Sequence, residues 1–156
     1  GPAADYYVEN GMGRSISIDE ALSILDMAEE NALVLSPTNA REILNICCCC
    51  DCCCGVLRGV KMLDKPAEHV NSTYQAKIDP EACSACGNCL ERCQMDAIIE
   101  GDKVMQVDEK RCIGCGLCVT DCPDEAISMV EKSKKVSVPK NMPEMGMRIL
   151  KERGLI

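Results

Sequence analysis

The sequence predicts an α+β chain. Two similar halves pack by pseudo-two-fold symmetry, and a small helical segment carrying a cysteine run precedes them. Three observations predict it. "IDPEACSACGNCLERCQMDAI" from Ile78 recurs as "VDEKRCIGCGLCVTDCPDEAI" from Val107, with every cysteine displaced by 29 positions (83 to 112, 86 to 115, 89 to 118, 93 to 122). Each copy reads as short strand, cysteine loop, one or two helical turns and short strand. Ahead of the repeat, apolar residues fall at helical spacing behind a cap signal.

The 156 residues suit one domain or two small ones. Phe and Trp are absent, and 15 residues are Cys. Without the cysteines the ordinary core is thin, so a staple is needed. Fifteen is odd, so the thiols cannot all pair as disulfides within the chain. No signal peptide or long apolar run is visible. A reducing, cytoplasmic, anaerobic setting is therefore expected, with cysteines read as metal ligands before disulfides. The formal charge of −8 argues against nucleic acid as a partner. It suits docking to a basic patch on another protein, or simple solubility. No Gly-rich phosphate loop, Ser/His/Asp set or paired carboxylates stand out.

Four segments follow in order. Residues 1–46 are a helical N-terminal segment, whose leading "GP" reads as a cleavage scar, with the chain as a fragment of a longer protein. Ser17 and Glu20 form an S-x-x-E box. Leu22, Leu25, Ala28 and Ala32 then line one helix face, with Asn31 as its stop. "ALVLS" reads as a strand, and Ser36-Pro37 as the cap of a second short helix. Residues 47–74 carry the cysteine run, then a helix facing inward through Val56, Val60 and Leu63, broken between Asp64 and Pro66. Residues 75–131 hold the repeat, with a hairpin around Gly101-Asp102. Residues 132–156 are a C-terminal extension that starts extended. Its last helix opens at Pro143 and faces inward through Met145, Ile149 and Leu150.

Within the repeat the cysteines follow C-x2-C-x2-C-x3-C twice, the second followed by Pro123. Three thiolates at intervals of three wrap one face of a cubane, while the fourth points away to the cluster of the other half. On that rule Cys83, Cys86, Cys89 and Cys122 hold one [4Fe–4S] cluster, and Cys112, Cys115, Cys118 and Cys93 hold the other. Structural zinc in C-x2-C knuckles leaves the third cysteine at the same interval unexplained.

Residues 75–131 resemble two-cluster ferredoxins. More widely, residues 3–156 resemble the C-terminal part of longer dicluster ferredoxin-like proteins of strict anaerobes, on "ADYYVENGMGR", the C-x-CC-x-CCCGVLRG stretch and the two cysteine repeats. The resemblance implies low-potential electron transfer inside anaerobic redox complexes. Two positions depart from the pattern. Gln94 stands where the second half has Pro123. It reads as a neutral loop substitution, or as a restored backbone N–H aimed at a sulfur. Cys48 reads as a surplus thiol.

"NICCCCDCCCG" places Cys47, Cys48, Cys49, Cys50, Cys52, Cys53 and Cys54 around Asp51. In an extended chain Cys47, Cys49 and Cys52 face one way and Cys48, Cys50 and Cys53 the other, with a turn at Asp51 folding them into a nest. Crowded thiolates repel, so a soft polycation is the natural occupant. A third Fe–S cluster of unknown nuclearity is the leading reading. Zinc, partial disulfide or thiol redox chemistry, and buried structural cysteine stay open. Asp51 reads as a turn residue before a ligand, and His69 as an exposed residue. The leading function is electron transfer between a donor and an acceptor protein, with no membrane span. The rivals are a redox enzyme module whose run cluster is catalytic or activates a partner, and a ferredoxin with a zinc or thiol-switch knot.

Overall fold

The computed structural model describes residues 1–133 and 137–156. Residues 134–136, near the start of the expected C-terminal extension, lie outside the described residues. The first element is α1 (Pro2–Glu9), which begins within the stretch set aside as a scar. Helix α2 (Ile18–Glu30) starts where expected. The Ser17 side chain accepts from the Glu20 N–H at 3.1 Å, and Asn31 caps the other end. The box is half made, because the Glu20 carboxylate pairs with Arg14 instead. Ala28 is buried and Leu25 half-buried, but Leu22 is exposed, so the inward face is narrower than the spacing implied.

Strand β1 (Val34–Pro37) follows, and the second short helix expected at Ser36-Pro37 is not formed. The chain turns back between Thr38 and Asn45. Their mutual hydrogen bonds, including Thr38 N–H to the Asn45 carbonyl at 3.1 Å, close a hairpin. Its return strand is β2 (Ile46–Cys49), antiparallel to β1 with Val34 opposite Cys49 and Leu35 opposite Cys48. Three of the run's seven cysteines therefore lie on a strand. Helix α3 (Gly55–Lys61) then buries Leu57 and half-buries Val60, whereas Val56 is 78% exposed, opposite to expectation. Cys54 caps the helix, its sulfur accepting from the Leu57 N–H at 3.4 Å. A single turn, α4 (Pro66–His69), leads into the repeat.

The repeat is built by exchange between its halves. Strand β3 (Tyr74–Ile78) pairs antiparallel with β6 (Ile127–Glu131), and β4 (Ile98–Glu100) with β5 (Met105–Val107), the hairpin expected at Gly101-Asp102. Each cysteine loop ends in one helical turn, α5 (Asn88–Glu91) or α6 (Leu117–Thr120). Asp79 N–H donates to the Ala126 carbonyl and Asp108 N–H to Ala97, both at 2.8 Å. Shifting 79 by 29 gives 108, and shifting 97 by 29 gives 126, so one bond is the two-fold image of the other. Backbone torsions repeat too: Gly87 and Gly116 share φ 87°, and Asp96 and Glu125 have φ 51° and 50°.

The symmetry breaks where the chain entering β3 packs on the second cysteine loop. Gly114 (φ 72°) is the counterpart of Ala85 (φ 57°), but a Cβ on Gly114 would collide with the Tyr74 carbonyl and the Ser72 hydroxyl. The substitution Gly114→Ala is expected to destabilise the loaded protein by more than about 1 kcal/mol, read from its thermal unfolding midpoint. One core runs through both parts: Val34 and Leu57 join Met95, Ala97, Ile98, Met105, Ile113, Leu117 and Ile127. The terminal helix α7 (Met142–Glu152) is capped by Asn141, with Pro143 second rather than first. Only Met145 of its expected inward residues is half-buried. Ile149 and Leu150 are exposed, and Arg148 pairs with Glu144 at 2.5 Å one turn earlier on the helix.

Candidate metal centre

Two strand–loop–turn units present the repeated thiols to the space between the halves. Cys89, Cys112 and Cys118 are buried, Cys83, Cys93 and Cys122 half-buried, and Cys86 and Cys115 exposed. Burial pushes the Cys89 thiol up, and the facing thiols of Cys83, Cys86 and Cys122 push it further. Burial likewise pushes Cys118 up to about 12, aided by Cys115, Cys112 and Cys93. Cys115 moves the same way, with Cys93 and Cys112 as its thiol neighbours. The fold thus gathers the eight thiols into two groups, each taking its fourth member from the other half.

Backbone amides point at several of these sulfurs. Ala97 N–H donates to Cys93 Sγ at 3.3 Å and Ala76 N–H to Cys112 Sγ at 3.5 Å. Such donors raise the potential of a cluster bound there. Sets of four crowded, largely desolvated thiols with amide donors at some of the sulfurs fit a soft, multiply charged iron–sulfur group.

The cysteine run forms its own constellation beside this one. Strand alternation puts Cys47 and Cys49 on one face of β2 and Cys48 on the other. Burial pushes the Cys49 thiol up to about 12, with Cys54 and Cys47 as its thiol contacts. Beyond Cys49 the alternation stops, since Asp51 to Cys53 form a turn. Cys52 therefore does not join Cys47 and Cys49 as expected. It groups with Cys50 and Cys53, all three sulfurs lying within 4.8 Å of one another. Cys50 and Cys52 sulfurs approach to 2.7 Å, and the Cys53 N–H donates to Cys50 Sγ at 3.3 Å. The Cys52 thiol and then that amide draw Cys50 down to about 7, while Cys52 is pushed up to about 11. The Cys54 thiol is drawn down, first by the Leu57 N–H at the start of α3, and it also feels Cys50. Six of the seven thiols are thus linked, Cys50, Cys52 and Cys53 as a compact triplet and Cys49 with Cys47 and Cys54 as a looser one, and Cys48 stands apart.

Asp51 is occupied as a turn residue. Its carboxylate takes Lys61 Nζ at 2.6 Å, and the same Lys61 reaches Asp96 at 2.9 Å. His69 is exposed on α4, and the metal-capable group among the described residues contains thiols only. Gln94 does neither of the things expected of it. Its backbone N–H has no sulfur partner among the described hydrogen bonds, and its side chain is far from neutral: Oε1 accepts from the Asp51 N–H at 2.9 Å, and Nε2 donates to the Ala32 carbonyl at 2.9 Å. Two arginines add to the seam. Arg92 donates to the carbonyls of Leu117 and Glu29, and Arg111 to those of Met95 and Lys61. Sequence reasoning missed these three roles. The only signal was the Gln94/Pro123 mismatch.

Residues 76–129 match the family described as 4Fe-4S dicluster domain. These residues are thus an iron–sulfur domain of ferredoxin type, in a mixed α+β chain, for which two [4Fe–4S] clusters are implied. No curated protein matches the chain. Among the described residues no helix is long and apolar enough to cross a membrane.

Proposed function

We propose that the chain is an electron-transfer module with three metal centres. Cys83, Cys86, Cys89 and Cys122 hold one [4Fe–4S] cluster, Cys112, Cys115, Cys118 and Cys93 hold the second, and the run holds a further iron–sulfur centre on Cys47, Cys49, Cys50, Cys52, Cys53 and Cys54. When bound, such groups supply one-electron redox chemistry. The chain's residues hold, desolvate and hydrogen-bond the sulfurs. The observation that carries the reading is the pair of thiol triplets packed beside a dicluster domain. Six soft donors exceed what a single tetrahedral zinc accepts, and they suit a polynuclear centre. The segments 1–46, 47–74, 75–131 and 132–156 act as one unit, with the run docked on the dicluster part. The acidic chain would meet basic faces of a donor and an acceptor protein, in the cytoplasm of a strict anaerobe, as the wider resemblance implies.

Iron, acid-labile sulfide and zinc per chain in anaerobically purified protein test this. Clearly more than about eight irons, the content of two cubanes, without zinc is the expected result. About eight irons with one zinc would make the run a structural knot. A second reading, a catalytic centre on the run, draws on the exposure of Cys47, Cys52 and Cys53. It predicts that a small molecule changes the spectrum of the run's centre alone.

A further inference from the structure

The two halves are near copies, yet the hairpin that carries the run meets Gln94 of the first and Cys115 and Gly116 of the second, all beside one of the two thiol sets. Gln94 follows Cys93 directly, and its carboxamide reaches both ends of the hairpin that carries the run. In the β1–β2 register Val34 faces Cys49. Two residues further along, Ala32 would face Asp51. Ala32 has φ 53° and leaves the ladder there, so its carbonyl and the Asp51 N–H need other partners. The Gln94 amide supplies both, at 2.9 Å each, standing in for a peptide group at the open end of the hairpin. Lys61 ties the same corner by joining Asp51 to Asp96. Leu35 of the hairpin lines a small cavity with Cys115 and Gly116. Cys49 and Cys54 pack against the common core, which holds Cys89 as well as Cys112 and Cys118, so the side is set by the Gln94 and Leu35 contacts. In the other half the equivalent residue is Pro123, exposed and without an amide to offer, and the loop from Ser84 to Cys86 is also exposed.

We infer that Gln94 is a positioning residue that docks the cysteine run against the Cys93/Cys112/Cys115/Cys118 set, so that metal on the run lies beside that set and away from the Cys83/Cys86/Cys89/Cys122 set. The inference rests on the run binding a redox-active iron centre. It adds an order to the three centres, with the Cys93 set in the middle. One hydrogen bond separates two covalent paths, from Cys93 through Gln94 and from Asp51 to Cys50 and Cys52. Electronic coupling falls steeply with distance and with each through-space gap, so this short bridge favours exchange on that side.

The test is low-temperature EPR of the reduced, loaded full chain, read together with iron content. In the unaltered protein the signal of the run's centre is expected to be split or broadened by a neighbouring cluster. That interaction is expected to persist in Cys122→Ala and to be lost in Cys93→Ala. Gln94→Ala is expected to weaken it with iron content unchanged, whereas Pro123→Ala leaves it as it was. Persistence in Cys93→Ala with loss in Cys122→Ala would overturn the placement, whether or not the Gln94 variant folds. An unchanged interaction in a fully loaded Gln94→Ala protein would overturn the role of Gln94. Iron at or below about eight per chain in the unaltered protein would remove the third centre itself, a failure distinct from both.

Discussion

The Cys89→Ala and Cys122→Ala proteins are expected to lose the same cluster, about four irons, and to leave identical EPR spectra from the cluster that stays. Cys93→Ala is expected to leave the complementary spectrum. The pairing is informative because Cys89 and Cys93 are four residues apart in one loop and turn, while Cys89 and Cys122 lie in different halves. Only the exchanged arrangement makes the distant pair match. The thiol neighbours of Cys89 are Cys83, Cys86 and Cys122, and those of Cys118 are Cys115, Cys112 and Cys93. If Cys89→Ala instead matches Cys93→Ala, each half holds its own cluster and the assignment fails. Stability is expected to fall as well, by more than about 4 kcal/mol, the range reached when a metal that folding depends on is lost. The core has no Phe or Trp, and six of the eight thiols are buried or half-buried in it. Without a cation those thiols would stay desolvated and crowded.

How far the sequence could be read depended on the range of the interaction. The repeat spacing announced two equivalent halves, because a 29-residue displacement fixes which strand and which thiol correspond. The Ser17 cap and the Asn31 stop are local, and the helix between them appears where predicted. Failures came where a distant partner decides. "SPTNAREILN" looked like a capped helix, but pairing of β1 with β2 drew it into a hairpin, and nothing local in that stretch encodes the pairing. Helix α3 faces inward through Val60 as predicted but buries Leu57 in place of Val56, a choice made by the distant core that Leu57 joins. In the run, alternation held through Cys49 and failed at the turn, so Cys52 changed sides. Gln94 was noticed for the right reason, its mismatch with Pro123. It was given the wrong role, because a side chain spanning two points of a separate segment leaves no periodic trace.

Serine at Cys50, Cys52 and Cys53 together is expected to remove all metal beyond the two cubanes, leaving about eight irons. Cys48→Ser alone is expected to remove none. The contrast follows from where the sulfurs lie. Cys50, Cys52 and Cys53 are within 4.8 Å of one another, a spacing that one metal ion or one face of a small cluster spans. Cys48 sits opposite Leu35 on the far face of β2 from Cys47 and Cys49. Serine keeps the size and polarity of the site but is a poor, hard ligand for a soft metal, so lost metal reports lost ligation rather than a collapsed hairpin. The hairpin keeps its own ladder and the clamps from Gln94 and Lys61, none of which uses a sulfur. The dicluster spectra should therefore survive in the triple variant. If iron stays clearly above eight, the 47/49/54 triplet holds the centre by itself, and Cys49→Ser with Cys54→Ser becomes the deciding pair. If Cys48→Ser loses metal, the run does not bind as the strand register places it, and the hairpin must rearrange when the metal enters. That outcome would also weaken the case for Gln94, whose clamp depends on the same register.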